Sequence, residues 1–106
     1  MRSGFCFKSV FRRLVFLLVL LGSIRARAKA DGARLSAACV ACHGAQGISV
    51  SPLWPNLAGQ QEKYLEIQLK AFRDGARKNP LMSPVAKTLS DEDIKVLAQY
   101  FSQLVK

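Results

Sequence analysis

Residues 39–43 read Cys39-Val40-Ala41-Cys42-His43, and the reading of these five decides how the remaining chain must fold. Two thiols stand three positions apart, with an imidazole directly after the second. A structural zinc site wants about four ligands, but beyond residue 30 the chain has no further Cys or His. A thiol-redox C-x-x-C belongs in a βαβ setting, and no strand pattern surrounds this one. The remaining chemistry is covalent attachment of a c-type haem by C-x-x-C-H. Thiols at this spacing can add to the two vinyl groups along one side of a porphyrin, and the neighbouring histidine is then held under the iron. The expected cofactor is therefore one haem c, covalent through Cys39 and Cys42, with His43 as proximal metal ligand.

Upstream lies a segment of different character. Arg2, Lys8, Arg12 and Arg13 precede an apolar run, Leu14–Leu21, and Ala28-Lys29-Ala30 fits an A-x-A cleavage site, with Ala26-Arg27-Ala28 as an alternative. The run is bounded by Arg13 and Arg25, short of the roughly 20 apolar residues that span a bilayer. Residues 1–30 are thus expected to be a cleaved signal peptide, leaving no transmembrane anchor and a periplasmic product. The pair Arg12-Arg13 hints at a twin-arginine signal, though its surroundings fit poorly. Cys6 leaves with the leader.

Cleavage after Ala30 leaves residues 31–106 as one domain of 76 residues. Of the 16 Lys and Arg in the chain this part keeps 9, against all 7 Asp and Glu, so a net charge of +9 falls to +2. The strong basicity belongs to the leader, and no nucleic-acid partner is expected. A domain this small buries little surface and usually needs a disulfide, metal or cofactor. Cys39 and Cys42 are too close together to staple distant elements.

Downstream the pattern is all-helical. Ala33–Val40 reads as a short helix behind Gly32 that ends at the cysteines. Residues 43–60, with Ser51-Pro52 and Trp54-Pro55, read as loop. Gln61–Asp74 reads as a helix with Leu65, Leu69 and Phe72 at i, i+4 and i+7, flanked by Tyr64 and Ile67 and stopped by Gly75. Residues 76–89 read as a second loop. Ser90-Asp91-Glu92-Asp93 then caps a last helix with Ile94, Leu97, Ala98, Phe101 and Leu104 as its stripe. Two such loops are suspect in a bare domain and sensible around a ligand.

For the sixth iron ligand, a second histidine is impossible within one chain, and once Met1 is removed Met82 is the remaining methionine. It stands in Asn79-Pro80-Leu81-Met82-Ser83-Pro84, a stretch stiffened by proline. Distal ligation by Met82 is the expectation; Lys78, Lys87 or an open site are the alternatives.

The domain resembles class I c-type cytochromes of the bacterial c4 and c553 kind over nearly its full length. The similarity runs through Gly32, Cys39–Gly44, Trp54-Pro55-Asn56-Leu57-Ala58-Gly59-Gln60, Tyr64-Leu65, Gln68-Leu69, Gly75-Ala76-Arg77, Met82, Leu89–Ile94 and Leu97–Phe101. The c4 type has two such domains and this chain has one. The resemblance implies the small class I cytochrome c fold, helices and ordered loops wrapped around one haem. It assigns ligand positions to His43 and Met82, and to Pro55 the backbone carbonyl that orients the proximal histidine. Trp54 would pack at the haem edge or in ordinary core; Tyr64 and Tyr100 would be core aromatics or reach the haem and its propionates.

With both axial places filled by protein, the expected function is single-electron transfer through the haem edge, without catalysis. Methionine ligation favours Fe(II) and raises the potential. Partners would be redox proteins met transiently by a monomer. Lys63, Lys70, Arg73, Arg77, Lys78 and Lys87 either steer them or are merely solvated. Two rival roles are a dedicated haem subunit of a dehydrogenase complex, for example in sulfur-compound oxidation, and a haem enzyme or ligand sensor should Met82 not bind.

Overall fold

The computed structural model describes residues 4–105, with side chains from Phe7 onward. Met1 and Arg2 of the expected leader, the Cys6 side chain and Lys106 lie outside the described residues. The helices are α1 (Gly4–Leu35), α2 (Ala37–His43), α3 (Glu62–Asp74), α4 (Met82–Lys87) and α5 (Asp91–Ser102), and no strand occurs among the described residues. The fold is all-α.

Two boundaries differ from the sequence reading. In place of one short helix over Ala33–Val40, α1 runs unbroken past Ala30 to Leu35, and α2 restarts beyond Ser36 to end at His43. The cause is local. Buried Ser36 donates its hydroxyl to the Ala33 carbonyl at 2.8 Å and its N–H to the Gly32 carbonyl at 2.9 Å. Its own carbonyl accepts the N–H groups of Cys39 and Val40, starting a new turn. The second difference is α4, six residues inside the stretch expected to be loop. Pro84 reads as a breaker, yet it occupies the first turn of α4, where its missing N–H would have had no helical acceptor.

Burial along α1 changes abruptly. Phe7, Phe11, Phe16, Leu18 and Ile24 are all exposed, whereas Gly32 is buried. No helix among the described residues is long and apolar enough to cross a membrane. The end of α1 packs against α5, and α5 and α4 both pack against α3. Gly32 allows the first of these contacts: a Cβ there would stand 2.6 Å from the Tyr100 Cβ. Gly32→Ala, though favourable by helix propensity, should therefore cost about 1–3 kcal/mol through overpacking. Its denaturant midpoint should fall at unchanged m-value; an unchanged midpoint would mean that the helices part without strain.

Leu65, Leu97, Ala98 and Phe101 form the buried cluster, with Leu69 and Leu104 packed against it. Leu104 does so from beyond the end of α5, while Tyr64 and Ile67 on α3 are exposed. The start of α5 carries the expected capping box. Ser90 Oγ accepts from the Asp93 N–H, and the Asp93 carboxylate accepts from the Ser90 N–H, each at 3.0 Å. These bonds hold the Asp93 carboxyl below the usual range. Arg73 joins α3 to α5, contacting Asp74 at 2.8 Å and Asp91 at 2.7 Å.

Candidate haem site

The two cysteines and the histidine lie on one short helix because α2 continues through the whole motif. Positions three apart share a helix face, so Cys39 and Cys42 present their sulfurs to the same side. Both are free thiols, and burial pushes the Cys39 thiol up. α2 must end at His43 because the chain turns sharply at Gly44, whose φ is 85°. A Cβ at Gly44 would run into the Ile48 carbonyl, so glycine is required after the histidine.

The loop that follows is built to reach back to His43. Gly47 offers its carbonyl to the N–H groups of Leu57 and Ala58, at 2.8 and 2.9 Å. The Ser49 hydroxyl contacts the Cys42 carbonyl at 3.1 Å, and its N–H donates to Asn56 Oδ1 at 2.7 Å. The Pro55 carbonyl consequently lies 2.7 Å from Nδ1 of the buried His43. A carbonyl can only accept, so Nδ1 carries the proton, and in the neutral ring Nε2 keeps its lone pair.

Met82 is placed by a different device. Asn79 Oδ1 accepts the N–H groups of both Leu81 and Met82 at 2.9 Å. The Asn79 N–H in turn donates to Ser83 Oγ, and the Asn79 carbonyl accepts the Ser83 N–H, both at 3.0 Å. This side-chain turn ties down the first residues of α4. Sequence reading passed over Asn79; an asparagine three residues before the methionine and directly before proline was the available signal.

Cys39, Cys42, His43, Trp54, Pro55 and Met82 all line one cavity of about 450 Å³, a volume suited to a cofactor-sized ligand. Its floor is apolar, with Leu65, Leu69 and Phe72 from α3, Val85 from α4, and Leu97 and Phe101 from α5. Tyr64 belongs to the wall although exposed; Tyr100 does not, packing instead edge-on against Phe101. Lys78 and Lys87 are exposed and lie outside the wall. Among the described residues no group of three or more His, Cys, Asp or Glu could hold a bare metal ion. The donor set is instead two thiols, one imidazole and one thioether around a large apolar space. That set fits a porphyrin with its own four nitrogen ligands.

Fold and cavity together define a small all-α haem protein of the covalent type. The family model for cytochrome c matches residues 29–104. The chain is 54% identical over 67 residues to cytochrome c-554(548) of Halomonas halodenitrificans, covering 60% of this chain and 81% of that protein. It is 43% identical over 96 residues to the thiosulfate dehydrogenase electron acceptor of Thiomonas intermedia, covering 87% of this chain and 44% of the relative. The crystal structure of reduced recombinant cytochrome c4 from Pseudomonas stutzeri superposes with a TM-score of 0.69 at 30% identity, covering 76% of this chain and 50% of that one. The chain thus spans most of the first relative and half or less of the other two. It belongs to the cytochrome c family. With membership come haem c, held through Cys39 and Cys42, and the role of an electron carrier rather than an enzyme.

Proposed function

We propose that the chain is exported, loses residues 1–30, and works in the periplasm as a monomeric single-electron shuttle with His43 and Met82 as its axial ligands. The observation that carries this reading is the shared cavity: the two thiols, the imidazole and the thioether line the same apolar space. The haem supplies a one-electron Fe(III)/Fe(II) couple when bound. The protein's part is to hold both ligands through that change. His43 is oriented by its bond to the Pro55 carbonyl, which also raises its basicity as a ligand. Met82, as the distal ligand, would favour Fe(II) through its thioether and would leave no place for an external ligand. With haem in place, the apolar floor of the cavity would shield its buried face from water.

Cleavage near Ala30 is supported by the burial change along α1, since the apolar side chains upstream have no core to enter. The intact mass of the exported protein should equal residues 31–106 plus one haem. A mass that retains the leader, or haem lost to acid-acetone, would overturn export or covalent attachment respectively.

A second reading is favoured by the relative from Thiomonas intermedia, whose name makes it the electron acceptor of a thiosulfate dehydrogenase. A dedicated subunit of such a complex would co-purify with its enzyme in fixed stoichiometry through gel filtration in moderate salt. A freely diffusing shuttle elutes alone.

A further inference from the structure

Among the described residues, Arg77 is the one charged side chain in the cavity wall. It is exposed as a residue yet contributes to the wall, so it stands at the rim. Its guanidinium is held at two points. The guanidinium carbon lies 4.5 Å from the centre of the Phe72 ring, and Nη1 donates to Gln68 Oε1 at 2.6 Å. The backbone N–H of Arg77 donates to the Ala71 carbonyl at 3.0 Å, fixing the turn that follows α3. Gln68 and Phe72 also line the cavity. One of five guanidinium donors is used by Gln68; among the described residues no other acceptor contacts the group.

Haem c brings two carboxylates into this cavity. Apart from the thiols, imidazole and thioether assigned to the haem and its iron, the wall offers carbon, neutral amides, one indole and one phenol, and Arg77 is its one charged group among the described residues. A carboxylate against such a wall needs a charged or hydrogen-bonding partner. A planar guanidinium, already fixed by stacking and one hydrogen bond, presents the geometry that carboxylates take best. We infer that Arg77 binds a haem propionate, with Gln68 and Phe72 as positioning residues that hold its guanidinium at the rim. The inference rests on the cavity holding haem c and is independent of which residue is the distal ligand.

The same contact places a positive charge beside the redox centre, which favours the reduced state. In the intact holoprotein, Arg77→Gln should lower the reduction potential and shift the propionate bending mode in the resonance Raman spectrum. Lys78→Gln removes the same charge at the next residue, which is exposed and outside the wall, and should move neither reading. Arg77→Lys keeps the charge but loses the planar fork, so it should hold the potential near that of the parent while still shifting the propionate mode. It serves as the deciding variant should Arg77→Gln fail to mature. The inference is overturned when Arg77→Gln matches Lys78→Gln in both readings, or when Arg77→Lys leaves the propionate mode unmoved. The near-infrared sulfur-to-iron band, recorded on the same samples, reports separately on the axial ligands, so failure of one reading is not mistaken for failure of the other.

Discussion

Chain produced with Cys39→Ala and Cys42→Ala, or in a host unable to attach haem, should be largely unfolded at room temperature. In so small a domain a single core supplies roughly 3–5 kcal/mol of net stability. Here the fully buried large side chains are Ile94 and Leu97, with smaller contributions from Ala58, Ala86 and Ala98. Without its cofactor, a space of about 450 Å³ would either fill with water against apolar side chains or collapse, and each outcome removes packing from a core this small. Circular dichroism of the haem-free protein should show weak helicity and no cooperative thermal transition, while the holoprotein melts sharply. A cooperative melt of the apoprotein would show that α3 and α5 hold together without the cofactor.

The second large effect is expected at Met82. Met82→Ala should remove the weak near-infrared charge-transfer band of sulfur-ligated ferric haem, admit carbon monoxide to the reduced protein, and leave the thioether bonds intact. The potential should fall by a few tenths of a volt, a fraction of the ~0.8 V span that axial ligands command. The direction follows from loss of a thioether that prefers Fe(II). Water is the expected replacement, because Lys78 and Lys87 lie outside the cavity wall. Met82→Ala that retains the band and excludes carbon monoxide would mean that another group closes the site, and the case for a purely outer-sphere carrier would have to be rebuilt.

Much of this arrangement could be read from the chain because it is written in local patterns. Leu65, Leu69 and Phe72 have helical spacing, and the same three line the cavity floor. Ser90 and Asp93 announce the start of α5 by a side-chain exchange that depends on residues three apart. The motif at Cys39–His43 names its cofactor through its spacing and through the lack of further Cys or His beyond residue 30. What escaped depends on the third dimension or on competing signals. The break at Ser36 arises from a buried hydroxyl turning back on its own helix, in a stretch whose Ala and Leu content reads as uninterrupted. α4 was hidden by Pro80 and Pro84, since proline is tolerated both in turns and in the first turn of a helix. Arg77 read as one more surface cation because its stacking on Phe72 and its place at the rim exist only after folding.

With Met82 as the proposed distal ligand, the turn built by Asn79 would bear on the competition between that ligand and outside ones. A thioether is a weak donor, and free in solution it would lose readily to small molecules at modest concentration. Here the backbone amides of Leu81 and Met82 are both fixed to Asn79, so a Met82 sulfur that left the iron would have only its own side-chain torsions to explore. Such a ligand acts at an effective molarity far above any diffusing rival; well-oriented intramolecular groups reach about 10⁵ M or more in reactions. A bond that is individually feeble can therefore stay closed for nearly all of the time. The exclusion of outside ligands would then be set less by the strength of sulfur–iron bonding than by how tightly one asparagine holds the two amides after it.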